Sequence, residues 1–180
     1  MSGIPALPAG YAIRAARPDE VPRLIAVETA AARLFADHGY PALADEPPRT
    51  PKAFARFTAG TSVLVAESRD ATPAGFVVGG DVGGYFYLME LSVDPAHGRR
   101  GLGTALVLAA LGAARRLAYR DAALSTFRAV PFNAPFYGKL GFSELEPAHA
   151  PPALLARFKR EMPPGVEASA RVLMVRRTGA

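Results

Sequence analysis

The chain has 180 residues, half of them apolar, and no cysteine, so disulfides, thiolate metal sites and cysteine nucleophiles are excluded. Its 21 basic and 16 acidic residues leave a net charge of +5, which suits a phosphorylated small molecule as well as nucleic acid or a membrane surface. The histidines lie far apart without metal-ligand spacing, which predicts no metal site; they are His38, His97 and His149.

The length suits one domain, which we expect to span residues 1–180 with a flexible N-terminus over residues 1–10. No apolar run approaches the roughly 18 residues needed to cross a bilayer. The N-terminal segment MSGIPALPAG also lacks the basic and apolar regions of a secretory signal. A cytoplasmic protein without membrane contact is therefore expected.

The N-terminal part of the chain predicts a strand and two helices. Residues 11–16 form the strand, and Asp19 is expected to cap the following helix, whose first turn holds Pro22. Apolar residues at helical spacing define one face of that helix: Val21, Leu24, Ile25, Ala31, Ala32 and Phe35. A proline-rich loop over residues 40–52 leads to a short helix near residues 53–59.

The rest of the chain mixes strands and helices. Three strands are predicted over residues 62–67, 74–81 and 85–93, with Gly83-Gly84 as the turn between the last two. The elements that follow are a helix at 101–119, a strand at 121–127, a helical piece at 134–140, a strand at 142–146, a helix at 152–161 and a strand at 169–176. This order predicts an α+β fold with a mixed, mostly antiparallel sheet flanked by helices.

The segment LMELSVDPAHGRRGLGTAL, residues 88–106, is the most informative part of the sequence. A strand leads through a tight turn into a glycine-rich loop and then directly into a helix. The first N–H groups of a helix lack intrahelical partners and carry partial positive charge, and glycines let an anion approach them. Further donors here are Arg99, Arg100 and Thr104. The segment predicts a phosphate or pyrophosphate site, and the alternative is that the glycines only ease the turn.

Two other phosphate-binding loops fit the segment less well. A P-loop needs the string GxxxxGK followed by Ser or Thr, which does not occur. A Rossmann loop would use GLGTAL with an acidic residue about 20 positions later, near Asp121. Asp121 opens the next predicted strand, however, and no alternation of parallel strands and helices follows.

Two segments resemble motifs of the GNAT acetyltransferase superfamily. ELSVDPAHGRRGLGTAL is similar to its acetyl-CoA-binding motif, Gln/Arg-x-x-Gly-x-Gly/Ala after a strand. LSTFRAVPFNAPFYGKLGF, residues 124–142, resembles the second motif, in which a strand, a short helix bearing tyrosine and the string LGF recur. The order of elements resembles the family over nearly the whole chain. One departure is that Gly98 stands where the family has Gln or Arg, which leaves open whether Arg99 supplies that charge.

The resemblance implies acetyl-CoA as co-substrate, held by a splayed pair of strands. Its pantetheine arm would pair with main-chain groups of Leu91, Ser92 and Val93. Its pyrophosphate would meet the amides of Gly98, Arg99, Arg100, Gly101, Leu102, Gly103 and Thr104. Asn133 and Phe136 would close the far side of the arm, with helix capping as an alternative role for Asn133.

Acetyl transfer to an amine requires a base for a proton and a donor to the departing thiolate. Glu90 lies in the otherwise apolar segment LMELSV beside the pantetheine positions, where partial desolvation would raise its pKa and suit it as the base. A structural carboxylate bonded to an amide or arginine is equally compatible. By resemblance Tyr137 donates to the thioester sulfur, with packing beside Phe136 and Phe142 as the alternative.

The acceptor side of the site is predicted from the first helix. Glu28 interrupts the apolar face of that helix, so it either meets a buried partner or faces a pocket for a cationic amine. Phe35 and Tyr40 would add an aromatic wall, with core packing as the alternative for Phe35. The acceptor itself, a small-molecule or peptide amine, is left open.

We therefore predict an N-acetyltransferase that moves the acetyl group of acetyl-CoA to a primary amine by direct attack in a ternary complex. Without cysteine or a GxSxG serine, no acyl-enzyme is expected. A non-catalytic acyl-CoA-binding module is the alternative, and it need not keep Glu90 and Tyr137. A nucleic-acid-binding domain is disfavoured because no basic helix face or aromatic platform occurs. Both a monomer and a homodimer are compatible with the sequence.

Overall fold

The computed structural model describes residues 7–179, which form seven strands and six α-helices. The strands are β1 (Tyr11–Ala15), β2 (Ser62–Ser68), β3 (Pro73–Val82), β4 (Tyr85–Val93), β5 (Asp121–Phe127), β6 (Ser143–Leu145) and β7 (Arg171–Arg177). The helices are α1 (Val21–Ala32), α2 (Pro41–Ala44), α3 (Pro51–Thr58), α4 (Leu102–Arg116), α5 (Ala134–Lys139) and α6 (Pro152–Arg160).

The strands and helices predicted from periodicity are confirmed, with small differences at their ends. The proline-rich loop over residues 40–52 contains the short helix α2, which begins at Pro41, a residue suited to a first helical position. A 3-10 segment, Arg33–His38, continues the chain beyond α1. The flexible N-terminus predicted over residues 1–10 lies mostly outside the described residues.

The predicted N-terminal cap of α1 is wrong. Asp19 does not cap the helix; instead the chain passes through a 3-10 turn in which the Glu20 carboxylate accepts the Arg17 N–H at 2.7 Å. Glu20 also pairs with Arg14 of β1, whose guanidinium contacts Glu67 of β2. Both carboxylates raise the pKa of Arg14, and this shared cation ties the first strand pair to the start of α1.

The seven strands form one sheet in the order β1-β2-β3-β4-β5-β7-β6. β2 runs antiparallel to β1 and β3, and β7 runs antiparallel to β5 and β6. β4 and β5 are parallel, with Phe86 opposite Ala122, because α4 returns the chain between them. The mostly antiparallel α+β fold is therefore confirmed.

The chain divides into two compact units. The first unit comprises the residues up to Gly79 together with Met89–Ala110, and the second comprises Gly80–Leu88 together with the residues from Leu111 onward. The core of the first unit joins α1, α3 and the strands β2 and β3 through Leu24, Ile25, Val27, Phe54, Val65, Phe76 and Val78. None of the helices in the described part of the chain is long and apolar enough to cross a membrane.

The second unit holds α6 against the sheet through a polar cluster. The buried hydroxyl of Tyr87 donates to Glu161 at 2.6 Å, and Ser125 donates to the same carboxylate. Arg157 of α6 donates to the other oxygen of Glu161 at 2.6 Å. Burial, reinforced by this carboxylate, raises the pKa of Tyr87 far above its usual value, so the hydroxyl stays a donor.

Candidate active site

The connection from β4 to α4 is anchored at Asp94. One oxygen of this carboxylate accepts the Ala96 N–H at 3.0 Å, and the other pairs with Arg23 of α1 at 2.7 Å. The backbone of β3 packs closely against the end of β4, because a Cβ at Gly75 of β3 would lie 2.9 Å from the Ser92 carbonyl oxygen of β4. The strand end and the loop after it are thus held by both β3 and α1.

The glycine-rich loop turns twice through left-handed backbone before α4 begins. Arg99 has a φ of 59° and Gly101 has a φ of 84°. The first helical hydrogen bond runs from the Ala105 N–H to the Gly101 carbonyl at 3.0 Å. The Gly98 N–H already donates to the Pro95 carbonyl at 3.0 Å, so the donors suited to an anion begin after it. By position these are the amides that a helix leaves without intrahelical partners.

Sequence reasoning missed a series of hydrogen-bonded side chains that holds Arg100 beside this loop. The Arg100 guanidinium donates to the Tyr11 oxygen at 3.1 Å, and Tyr11 hydrogen-bonds the Nδ1 atom of His97 at 2.8 Å. The direction of the Tyr11–His97 hydrogen bond depends on the tautomer of His97, because the Tyr11 oxygen can accept from both partners or donate to one. Only His97 and Arg100 are close in sequence, so no local pattern could have indicated the role of Tyr11.

The predicted base, Glu90, has the environment that such a role requires. Burial and the nearby Glu28 carboxylate raise its pKa from 4.5 to about 7, against the opposing effects of Ser92 and Arg49. The Ser92 hydroxyl, itself buried, donates to Glu90 Oε1 at 2.8 Å. Part of the residue remains accessible, whereas its carboxyl group is enclosed by protein. The surroundings of the carboxyl oxygens determine the pKa, and these atoms are the enclosed part of the side chain.

Glu28 has a partner in the structure, although that partner is exposed and not buried, and the amine pocket beside Glu28 stays a prediction. The Arg49 Nε donates to Glu28 Oε1 at 2.8 Å, and the same guanidinium lies 4.4 Å above the centre of the Phe57 ring. Arg49 was not singled out in the sequence, where it is one residue of a proline-rich loop. Its separation from Glu28 along the chain gives no signal of the pairing.

The two predicted aromatic residues of the acceptor side contact each other. Phe35 and Tyr40 meet edge to face with their ring centres 6.5 Å apart. Both residues are partly buried, and the choice between an aromatic wall and core packing for Phe35 stays a prediction. Phe35 lies within the 3-10 segment that follows α1 and Tyr40 lies just after it, in the same unit as Glu28 and Glu90.

The predicted residues of the second motif lie in the second unit. The Asn133 side chain does not cap α5; its oxygen accepts the Phe127 N–H at 3.3 Å and the Thr126 hydroxyl. The alternative of a side-chain cap is therefore wrong, and Asn133 instead ties the start of α5 to the end of β5. The Asn133 carbonyl takes the Tyr137 N–H at 3.0 Å.

Tyr137 is 8% exposed and lies between two phenylalanines. Its ring centre is 5.0 Å from that of Phe136 and 5.8 Å from that of Phe142, both edge to face. The packing foreseen as an alternative is thus present. These ring contacts do not involve the hydroxyl, so donation by Tyr137 stays a prediction.

The first unit contains the glycine-rich loop, Glu90, Glu28 and the aromatic pair, and the second unit contains Asn133, Phe136 and Tyr137. Within residues 7–179, no group of three or more His, Asp or Glu side chains is arranged to hold a metal ion.

A protein-family model described as the acetyltransferase (GNAT) family matches residues 28–142. The match includes the C-terminal part of α1 from Glu28, the strands β2 to β5, the glycine-rich loop and the segment around Tyr137. The chain belongs to this family of acyltransferases.

Solved structures of acetyltransferases share the fold. The ribosomal-protein-S18-alanine N-acetyltransferase from Escherichia coli is 17% identical with a TM-score of 0.66, over 93% of this chain and 94% of that one. PaiA N-acetyltransferase from Thermoplasma acidophilum, in complex with coenzyme A, is 16% identical with a TM-score of 0.66, over 93% and 98% of the two chains.

A third similar structure is N-acetylglutamate synthase from Neisseria gonorrhoeae, complexed with coenzyme A and N-acetyl-glutamate. It is 16% identical with a TM-score of 0.70, and the match covers 96% of this chain but 36% of that one. At these identities the likeness concerns the fold.

Proposed function

We propose that this protein is an N-acetyltransferase that moves the acetyl group of acetyl-CoA to a primary amine by direct attack within a ternary complex. The observation that carries the proposal is the environment of Glu90 in β4. Its carboxyl group is enclosed by protein, and its pKa is raised to about 7. A group that changes charge near neutral pH is suited to collect a proton during turnover.

The residues of the β4–α4 connection fit the pyrophosphate of a coenzyme A ester. Gly101, with a φ of 84°, opens the start of α4 without a Cβ, and Arg99 and Arg100 add exposed cationic donors. We assign the amides from Arg99 to Thr104 to this anion. The main-chain groups of residues 91–93 are assigned to the pantetheine arm, with Asn133 and Phe136 beyond it. When bound, acetyl-CoA supplies the activated acetyl thioester.

Glu90 acts on the acceptor amine, directly or through a water molecule. A lysine-like amine with a pKa near 10.4 is neutral in roughly one molecule in 10³ at pH 7, so its proton must be removed. Glu90 accepts that proton and passes it to solvent. The neutral nitrogen then forms the new bond to the acetyl carbon while the carbon–sulfur bond breaks, and the second proton lost by the nitrogen is taken up through solvent by the departing thiolate, giving the amide and the free thiol. The Ser92 hydroxyl, 2.8 Å from Oε1, orients the carboxylate.

Tyr137 is proposed to donate a hydrogen bond to the departing sulfur. Its ring is fixed between Phe136 and Phe142, which keeps the hydroxyl in one direction. Full proton transfer is not required of it, because an ordinary phenol, with a pKa of about 10, is a weaker acid than an ordinary thiol at about 8.5. Donation alone stabilises the developing thiolate.

Release of free thiol from acetyl-CoA, measured over a panel of amines, tests the proposal. We expect amine-dependent thiol release, acetylated product by mass spectrometry, and intersecting initial-velocity plots. Parallel plots would indicate an acyl-enzyme and contradict direct attack. Tight binding of coenzyme A without thiol release for any amine would identify a non-catalytic binding module instead. The cytoplasmic location and the oligomeric state, monomer or homodimer, stay predictions.

A further inference from the structure

The Glu28 carboxylate and the face of the Phe57 ring form a small site that we call the cation seat. Arg49 occupies it, with its Nε 2.8 Å from Glu28 Oε1 and its Cζ 4.4 Å above the ring centre. A carboxylate beside an aromatic face is the composition with which proteins bind organic cations, because both present negative potential. The negative potential of the seat therefore favours a bound cation, whether this chain or another molecule supplies it.

The two residues that form the seat lie on helices of the first unit, whereas Arg49 lies in a loop and can move away from them. The Glu28 side chain is 15% exposed on α1, and Phe57 packs on α3 against the buried Phe54. The Arg49 side chain is 41% exposed and comes from the loop before α3. An exposed ion pair of this kind is weak, so another cation can replace the guanidinium.

We propose that the cation seat binds a second cationic group of the acceptor, and that Arg49 fills the seat until such an acceptor displaces it. The inference rests on the proposed acetyltransferase function and defines its acceptors as primary amines that carry an additional positive charge, as small diamines do. The reacting nitrogen must be neutral when it attacks, and an ion pair with Glu28 would keep it protonated. Glu28 therefore suits the cation that does not react, and Glu90 suits the nitrogen that does.

The charges around Glu90 support the same assignment. Glu28 and Arg49 both act electrostatically on the Glu90 carboxyl, in opposite directions, and all three residues belong to the first unit. If a neutral or acidic acceptor displaced Arg49, the two carboxylates would be left without a compensating cation. A dicationic acceptor replaces the lost charge, so exchange with Arg49 costs little.

Steady-state kinetics with 1,4-diaminobutane and the monoamine n-butylamine test the proposal. Arg49→Ala removes the competing cation, so we expect the KM for the diamine to fall about fivefold and the preference for diamine over monoamine to widen. Glu28→Gln is expected to raise the KM for the diamine about tenfold and to abolish that preference. Arg56→Ala is the matched control, because it removes an exposed arginine of α3 and the same net charge; it should change neither value.

The outcome separates this inference from the proposed function. The inference would be overturned if Arg49→Ala raised the KM for the diamine. It would also be overturned if amines that carry a carboxylate had a lower KM with wild type than with Arg49→Ala, and either result would make Arg49 an anion-binding residue. Equal KM values for both amines in wild type would also overturn it, while acetyl transfer itself stands. If no amine is acetylated, the proposed function fails. Calorimetry then tests the seat alone: the diamine should bind more tightly to Arg49→Ala and more weakly to Glu28→Gln than to wild type, and equal affinities would overturn the inference.

Discussion

Replacing Glu90 with glutamine is expected to stabilise the folded protein at high pH while it removes activity. Glutamine has nearly the same shape and keeps an oxygen that can accept the Ser92 hydroxyl, which lies 2.8 Å from Glu90 Oε1. It cannot ionise or take up a proton. The substitution therefore isolates the ionisation of this one carboxyl from its packing.

The expected size of the effect follows from the pKa. Burial and Glu28 raise the pKa of Glu90 from 4.5 to about 7 in the folded protein, so the neutral acid is the form that folding favours. Its contribution to stability is fully present below pH 4.5 and is lost as the pH rises through about 7. Complete loss corresponds to about 3 kcal/mol of unfolding free energy, and solvent at the accessible edge of Glu90 reduces this towards about 1 kcal/mol.

Urea unfolding at pH 5 and pH 8.5 measures this difference. Relative to wild type, we expect Glu90→Gln to gain about 1–3 kcal/mol between the two pH values with an unchanged m-value. The exposed Glu146→Gln serves as control and should show no such dependence. At the pH where the variant is more stable, its kcat should be lower by about 10²-fold or more. A stability difference that does not vary with pH would refute an enclosed, poised carboxyl at this position.

Three further substitutions test other parts of the site. Gly101→Ala places a Cβ on a left-handed backbone with a φ of 84°, which should cost about 1–2 kcal/mol of stability and weaken the binding of coenzyme A. The control is Gly60→Ala, at a φ of 73° in another loop, which should cost similar stability and leave the binding of coenzyme A unchanged. Tyr137→Phe should lower kcat about tenfold or more with the KM for acetyl-CoA unchanged; unchanged kcat would reduce Tyr137 to packing. Glu28→Gln removes a charge that raises the pKa of Glu90, so the acid limb of the pH profile of kcat/KM should move to lower pH, and a shift to higher pH would contradict the assignment.

Local patterns were sufficient to predict most of the fold. Strand β4 and strand β5 match the predicted residues 85–93 and 121–127, because each is a short, mostly apolar run that lies between turns or loops. The prediction for the start of α1 fails because the capping rule favours Asp19, whereas in the structure the Glu20 carboxylate accepts the Arg17 N–H. Which of them is used depends on Arg14 and Glu67, and Glu67 lies 53 residues further along the chain than Arg14.

The candidate site was predictable only where its residues lie in one segment. The glycine-rich loop and Glu90 belong to one continuous stretch of strand, turn and helix, so their proximity is fixed by connectivity. The pairing of Arg49 with Glu28 and of Tyr11 with His97 depends on how distant elements pack, and no periodicity encodes it. The splay expected between two strands of the sheet stays a prediction.

Mass spectrometry of the amine after incubation with acetyl-CoA and purified protein tests the central claim most directly. The account predicts an acetylated amine formed in step with free thiol, and loss of both in Glu90→Gln with retained affinity for coenzyme A. Absence of measurable affinity for coenzyme A at low ionic strength, or full transfer by Glu90→Gln, would contradict it.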